Sequence, residues 1–143
     1  MNQEQLFELM REPLGNLPLT IPPPSFKDLN LEVIHYEEGK SIEVAAPLYE
    51  KYNNPAGTIL GGYIPTFFDL AYGPLSFLVT QKPTTSLDLN TTFIRPITVQ
   101  DEKLIIKASV VNKGKSYLVL EAKAYNPEGM LVATSNSRMR ILG

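Results

Sequence analysis

The sequence predicts one α+β domain in which an antiparallel sheet of about six strands wraps one long central helix, with a short helix ahead of it. Three observations lead there. Ile64, Phe67, Phe68, Ala71, Leu75 and Leu78 recur at intervals of three and four, the period of one face of an α-helix. From Thr85 onward the pattern changes to alternation at period two, that of a sheet with one buried face. At 143 residues the chain is long enough for one core and too short for two. A lone apolar helix must bury its face, and the concave side of that sheet is the one large surface on offer. Pattern alone leaves another α+β sandwich open.

Taken in order, residues 1–29 form a helix and a connector ahead of a core at 30–143. Gln3 to Arg11 place Leu6, Leu9 and Met10 at helical spacing until Pro13 and Gly15 stop the pattern. The proline-rich run Pro18 to Pro24 favours extended polyproline geometry and reads as a stiff connector. Leu31 to Tyr36 and Ser41 to Leu48 form a first hairpin across the turn Glu37 to Lys40. The central helix begins near Gly61, where Pro65 is tolerated because the first turn's N–H groups have no intrahelical acceptor. Pro74 falls in the interior, so a kink or an early end is expected near Gly73-Pro74. Thr85 to Ile94 reads as one strand, with Leu87, Leu89 and Phe93 on one face and Ser86, Asp88 and Asn90 on the other. A meander follows. Lys103 to Asn112 turns Leu104, Ile106, Ala108 and Val110 inward, and Tyr117 to Tyr125 turns Leu118, Leu120, Ala122 and Ala124 inward. The turn Asn126-Pro127-Glu128-Gly129 then leads to Leu131 to Ile141.

Composition removes several chemistries. A net charge of −2 and a pI near 5.4 give no electrostatic reason for a nucleic-acid or anionic-membrane partner. Without cysteine there is no disulfide, thiolate zinc site or Cys nucleophile. The single histidine, His35, rules out multi-histidine metal sites and leaves a Ser-His-Asp triad one candidate, which falls in the first strand between Ile34 and Tyr36. No P-loop, G-x-S-x-G elbow or dinucleotide fingerprint is present. The N-terminal residues lack a basic start and a continuous apolar run, so a cytoplasmic protein without membrane spans is expected. Carboxylates, amides, hydroxyls and backbone dipoles remain to carry the chemistry.

Two features stand out. The loop Asn53 to Gly62 opens the central helix, and its glycines admit two readings. They free backbone N–H groups to stabilise charge on a carbonyl oxygen, or they let helix and strand pack closely. Asp69 lies seven residues past Gly62, on the same stripe as Gly62 and Thr66, and is the only charged residue between Asn53 and Thr80. It reads as a base or nucleophile, or as a structural hydrogen-bond acceptor at a subunit interface.

The series Asn54-x-x-Gly57-x-x-Leu60-Gly61-Gly62, then Asp69 and Gly73, resembles the hotdog thioesterases of the phenylacetic-acid-degradation type. Their motif is N-x-x-G-x-x-H-G-G, six variable positions, then the catalytic Asp. The similarity continues through Thr85 to Asn90, Phe93-Ile94-Arg95-Pro96, Lys113-Gly114-Lys115 and the last strand, covering roughly residues 30–141. It implies a hotdog fold and hydrolysis of an acyl-CoA thioester, with no metal or redox cofactor. Asp69 would activate water or attack the carbonyl, Gly61 N–H would polarise that carbonyl from the other subunit, Asn54 would place the water, and Ser86 would assist. Leu60, Gly62, Tyr63 and Thr66 would line the substrate, with Lys113 and Lys115 toward the coenzyme A phosphates. A homodimer or a dimer of dimers is implied.

One position departs from the pattern. Leu60 stands where the family has His. If that His only orients the loop, the loss is modest; if it touches the carbonyl or water, activity falls by about 10²-fold or more. The competing expectation is a non-catalytic hotdog protein that binds an acyl chain or acyl-CoA.

Overall fold

A computed structural model describes residues 2–143. Helix α1 (Gln3–Arg11) starts at a capping box, with the Asn2 and Gln5 side chains each accepting the other's backbone N–H. Its inner face is Leu6, Phe7 and Met10, whereas Leu9 turns outward, contrary to the expected face. Phe7 replaces it because its ring packs edge-on against Phe26, centroids 5.4 Å apart. Phe26 belongs to α2 (Pro24–Asp28), a short helix where only extended chain was expected. Pro23 keeps polyproline angles, but Pro24 occupies the first helical turn, where its missing N–H costs nothing.

Seven strands make one antiparallel sheet: β1 (Glu32–Glu37), β2 (Ser41–Pro47), β3 (Thr84–Ser86), β4 (Asn90–Phe93), β5 (Lys103–Lys113), β6 (Tyr117–Tyr125) and β7 (Leu131–Ile141). The order is β1-β2-β5-β6-β7, with β3 and β4 end to end along the far side of β7. The inward rows are those the alternation predicts: Leu104, Ile106 and Ala108 on β5, and Leu118, Leu120, Ala122 and Ala124 on β6, are all buried. Val110 is only half-buried, because the register slips between Val110 and Asn112.

Helix α3 (Tyr63–Thr80) lies on the concave face and buries Ile64, Phe67, Phe68, Ala71, Leu75 and Leu78. Each large apolar side chain so placed is worth roughly 1.5–3 kcal/mol. This is the hotdog arrangement. Among the described residues no helix is long and apolar enough to cross a membrane.

Two expectations are corrected. Of the kink or early end expected near Gly73-Pro74, the early end does not occur, because the helix continues to Thr80. Residue 73 is glycine, so the clash between a proline ring and the preceding Cβ is absent, and Pro74 through Leu78 are buried, so packing offsets the lost backbone bond. The single strand expected over Thr85 to Ile94 is broken into β3 and β4 around Asp88. There the Asp88 carboxylate accepts the backbone N–H of Arg138 at 2.7 Å and its Nε at 2.8 Å, replacing a ladder bond with side-chain bonds. The break also leaves Leu87 and Phe93 exposed instead of facing the core.

Candidate active site

The loop before α3 is built largely by Asn54. Its Oδ1 accepts the N–H groups of Ala56 (3.0 Å) and Thr58 (3.2 Å), and its Nδ2 donates to Thr58 Oγ1 at 2.7 Å. The side-chain carbonyl is therefore used inside the loop, and one amide hydrogen is left to face a ligand. Gly57 adopts φ +83°, the left-handed conformation that this turn requires. The loop is anchored where Ile59 N–H donates to Ile97 O and Leu60 N–H donates to Tyr52 O. The next two amides, of Gly61 and Gly62, have no acceptor among the described residues. They are open donors at the positive end of α3.

Asp69 sits mid-helix on an exposed stripe with Gly62 and Thr66. Ser86, carried by β3, donates its hydroxyl to Asp69 Oδ1 at 3.2 Å, so two predicted site residues 17 positions apart do meet. Thr66 donates its hydroxyl to Gly62 O at 3.0 Å, leaving only lone pairs for a ligand. Tyr63 is half-buried and stacks on Tyr52, centroids 4.3 Å apart. Leu60 is 49 % exposed, as are the apolar Leu87, Phe93 and Ile94 to a similar degree. Gly61 and Asp69 are eight residues apart, about 12 Å along the axis at the rise of an α-helix. One small carbonyl cannot touch both groups of the same chain.

Free N–H donors at the start of a buried helix and a hydroxyl-supported carboxylate two turns on are groups of the kind that suit addition to an activated carbonyl. The family model described as the Thioesterase superfamily matches residues 56–133, the segment that holds both. The chain belongs to the thioesterase superfamily. No curated protein matches the sequence. Among solved structures, the Haemophilus influenzae thioesterase HI1161 superposes with TM-score 0.80 at 20% identity, over 100% of this chain and 92% of that one. The Escherichia coli PaaI protein from the phenylacetic acid degradation operon gives 0.80 at 18% identity, with 96% of each chain covered. AziG of S. sahachiroi gives 0.79 at 20% identity, over 84% and 97%. At these identities the likeness is one of fold.

Other predicted residues of this thioesterase-superfamily chain stand apart from the Asp69 stripe. Lys113 Nζ donates to Val79 O at 3.0 Å, so its ammonium caps the C-terminal end of α3, the end opposite Gly61. Lys115 is exposed and forms no ion pair among the described residues. His35 lies exposed on β1, at the opposite edge of the sheet from β3 and β4.

Two features escaped sequence reading. A groove of about 300 Å³ runs beside Gly61, walled by Ile59, Ile64, Phe93 and Ile97 and carrying Arg95. The run Phe93-Ile94-Arg95-Pro96 marked the segment without giving it a role. Beneath α3, fully buried Tyr72 places its hydroxyl beside Ser135 without a well-formed hydrogen bond, and Thr91, across the ladder from Ser135, also has an unpartnered hydroxyl. Burial pushes the Tyr72 phenol up to about 12. Tyr72 follows Ala71 on the central helix, and nothing in the periodic pattern says where its oxygen ends.

Proposed function

We propose that the protein hydrolyses an acyl-CoA thioester to a carboxylic acid and coenzyme A, in the cytoplasm, without metal or redox cofactor. The observation that carries this reading is the Asp69 carboxylate held by Ser86 on an exposed stripe of α3, the helix whose start presents the unpartnered Gly61 N–H. Gly61 N–H donates to the thioester carbonyl oxygen and stabilises the charge that develops there. Asp69 takes a proton from water as the water oxygen bonds to the carbonyl carbon. The C–S bond then breaks and the proton returns to the departing sulfur. Ser86 engages Oδ1, which leaves Oδ2 to face the water. The alternative step, direct attack by Asp69, uses the same donors.

The separation of about 12 Å between Gly61 and Asp69 supports a site shared by two chains, hence a homodimer or a dimer of dimers. Exposed Leu60, Leu87, Phe93 and Ile94, and the unpaired side of β3 and β4, supply apolar surface and backbone groups for that contact. A second reading, an acyl-CoA binder without turnover, is favoured by Leu60, which offers no hydrogen bond where the family has His.

A panel of acyl-CoA thioesters read with a thiol-trapping dye tests the proposal. Thiol release with at least one substrate, lost in Asp69→Ala, is the expected result. No release with any substrate, together with tight acyl-CoA binding, would replace it with the binder.

A further inference from the structure

Two adjacent glycines are a loose mounting for a hydrogen-bond donor that has to stay in place. Glycine has the widest conformational freedom of any residue, whereas a donor aimed at developing charge works by being fixed beforehand. Gly61 and Gly62 have no side chains to pack, and a Cβ built on Gly62 would meet nothing within 4 Å. Their amides therefore depend on what holds the chain on either side. We propose that Tyr52 is a positioning residue for the Gly61 N–H, closing a clamp over both flanks of the glycine pair. The role rests on the thioesterase reading, in which Gly61 N–H receives the carbonyl oxygen.

Tyr52 ends the short 3-10 turn Glu50–Tyr52 and is buried. With its main chain it holds the residue before the pair, since its carbonyl oxygen accepts Leu60 N–H at 2.8 Å. With its side chain it holds the residue after the pair, since its ring stacks on Tyr63 with centroids 4.3 Å apart and planes at 29°. Phe67, one helical turn beyond Tyr63, supports the stack, its centroid 6.1 Å from Tyr52 and 6.3 Å from Tyr63. Only Gly61 and Gly62 lie between the two points of attachment, so the pair is short, fixed at both ends and free in the middle to present its N–H groups. The phenol oxygen takes no part in this. It is buried without a hydrogen-bond partner among the described residues, a state that is unfavourable in itself, so the ring alone carries the role.

The test compares wild type with Tyr52→Phe, which keeps the ring, and Tyr52→Leu, which removes it and leaves the backbone bond to Leu60. Tyr63→Leu removes the same stack from its half-buried side, with less demand on folding, and the double Leu variant completes a cycle. Ile42→Ala, at a fully buried position on β2 outside the loop, is the control for general destabilisation. Each protein is assayed for kcat and KM on its best acyl-CoA thioester, well below its melting temperature, and NMR relaxation gives the order parameters of the Gly61 and Gly62 amides. Tyr52→Leu and Tyr63→Leu should each lower kcat by about 10- to 10²-fold with KM nearly unchanged, the range for a misplaced donor. The double variant should be hardly worse than the worse single one. Tyr52→Phe should keep the wild-type kcat, and Ile42→Ala should melt earlier without losing it. The glycine amides should be rigid in wild type, with order parameters of about 0.85, and fall below about 0.6 in the Leu variants. If Tyr52→Leu does not fold, Tyr63→Leu decides by the same readouts. Losses that are additive, that Ile42→Ala reproduces, or that appear in KM instead of kcat would overturn the clamp, as would wild-type amides that are already mobile. If wild type cleaves no thioester, the thioesterase reading falls and this proposal with it. If wild type turns over and kcat is indifferent to Tyr52→Leu, only the Tyr52 assignment falls.

Discussion

Helix α3 presents two faces that obey different rules. The inner face, with Phe67, Phe68, Ala71 and Leu75 fully buried, is sealed against the sheet, and its residue types are those a close-packed core demands. The outer stripe of Gly62, Thr66 and Asp69 is small or polar and exposed. Nothing in the folding of one chain requires a carboxylate there. Asp69 has no cationic partner among the described residues and only the Ser86 hydroxyl against it. On the proposed reading the inner face serves stability and the outer stripe chemistry, so substitutions on the two faces should fail in different assays.

The largest effect belongs to the inner face. Phe67→Ala empties a fully buried site and should cost about 3–5 kcal/mol, read as a lower denaturation midpoint with an unchanged denaturant slope. A loss below about 1 kcal/mol would mean that α3 is not packed as described.

Tyr72 tests the same face through pH. Its phenol is pushed up from 10 to about 12 by burial, so the folded state resists ionisation that the unfolded chain undergoes freely. The associated stability is complete below pH 10 and is lost as pH rises toward about 12. The loss between those two pH values amounts to about 2–3 kcal/mol. Tyr72→Phe should flatten that alkaline decline. At neutral pH it should be neutral or slightly stabilising, because it deletes a buried hydroxyl with no good partner. Chemical denaturation at pH 7 and in the alkaline window checks both signs.

On the outer side, Leu60→His restores the donor found in the resembling family and should raise turnover of the best substrate, by about 10-fold if the imidazole reaches the developing charge. Because Leu60 is half exposed, the melting temperature should hardly change. Unchanged kcat would show that the wild-type loop is already complete without it.

How much of this was legible in the sequence depends on the range of the forces involved. Inward rows such as Leu118, Leu120, Ala122 and Ala124 follow from backbone geometry alone, so alternation revealed them. Asp69 stood out because it is a lone charge in a long uncharged run, and the structure finds it exposed with the Ser86 hydroxyl against it. The break at Asp88 was not, since it depends on Arg138, fifty residues away. Nor was the passage of α3 through Pro74, which is decided by the core around residues 74–78 rather than by local propensity. Motif spacing named Asn54 and Lys113 as site residues, and it is silent on where an amide or ammonium points, which the structure adds. Asn54 builds its own loop and Lys113 caps the far end of the helix.

Asp69→Asn tests the central claim most directly, because it keeps side-chain shape and removes only the charge. Thermal stability, acyl-CoA affinity and single-turnover rate should be measured on the same preparation. If the outer stripe serves chemistry and not folding, melting temperature and affinity stay close to wild type while the rate falls by about 10²–10⁴-fold, the contribution of a positioned base. A variant that turns over at the wild-type rate, or one that loses stability and affinity together with rate, would contradict the account and leave Asp69 a structural hydrogen-bond acceptor for Ser86.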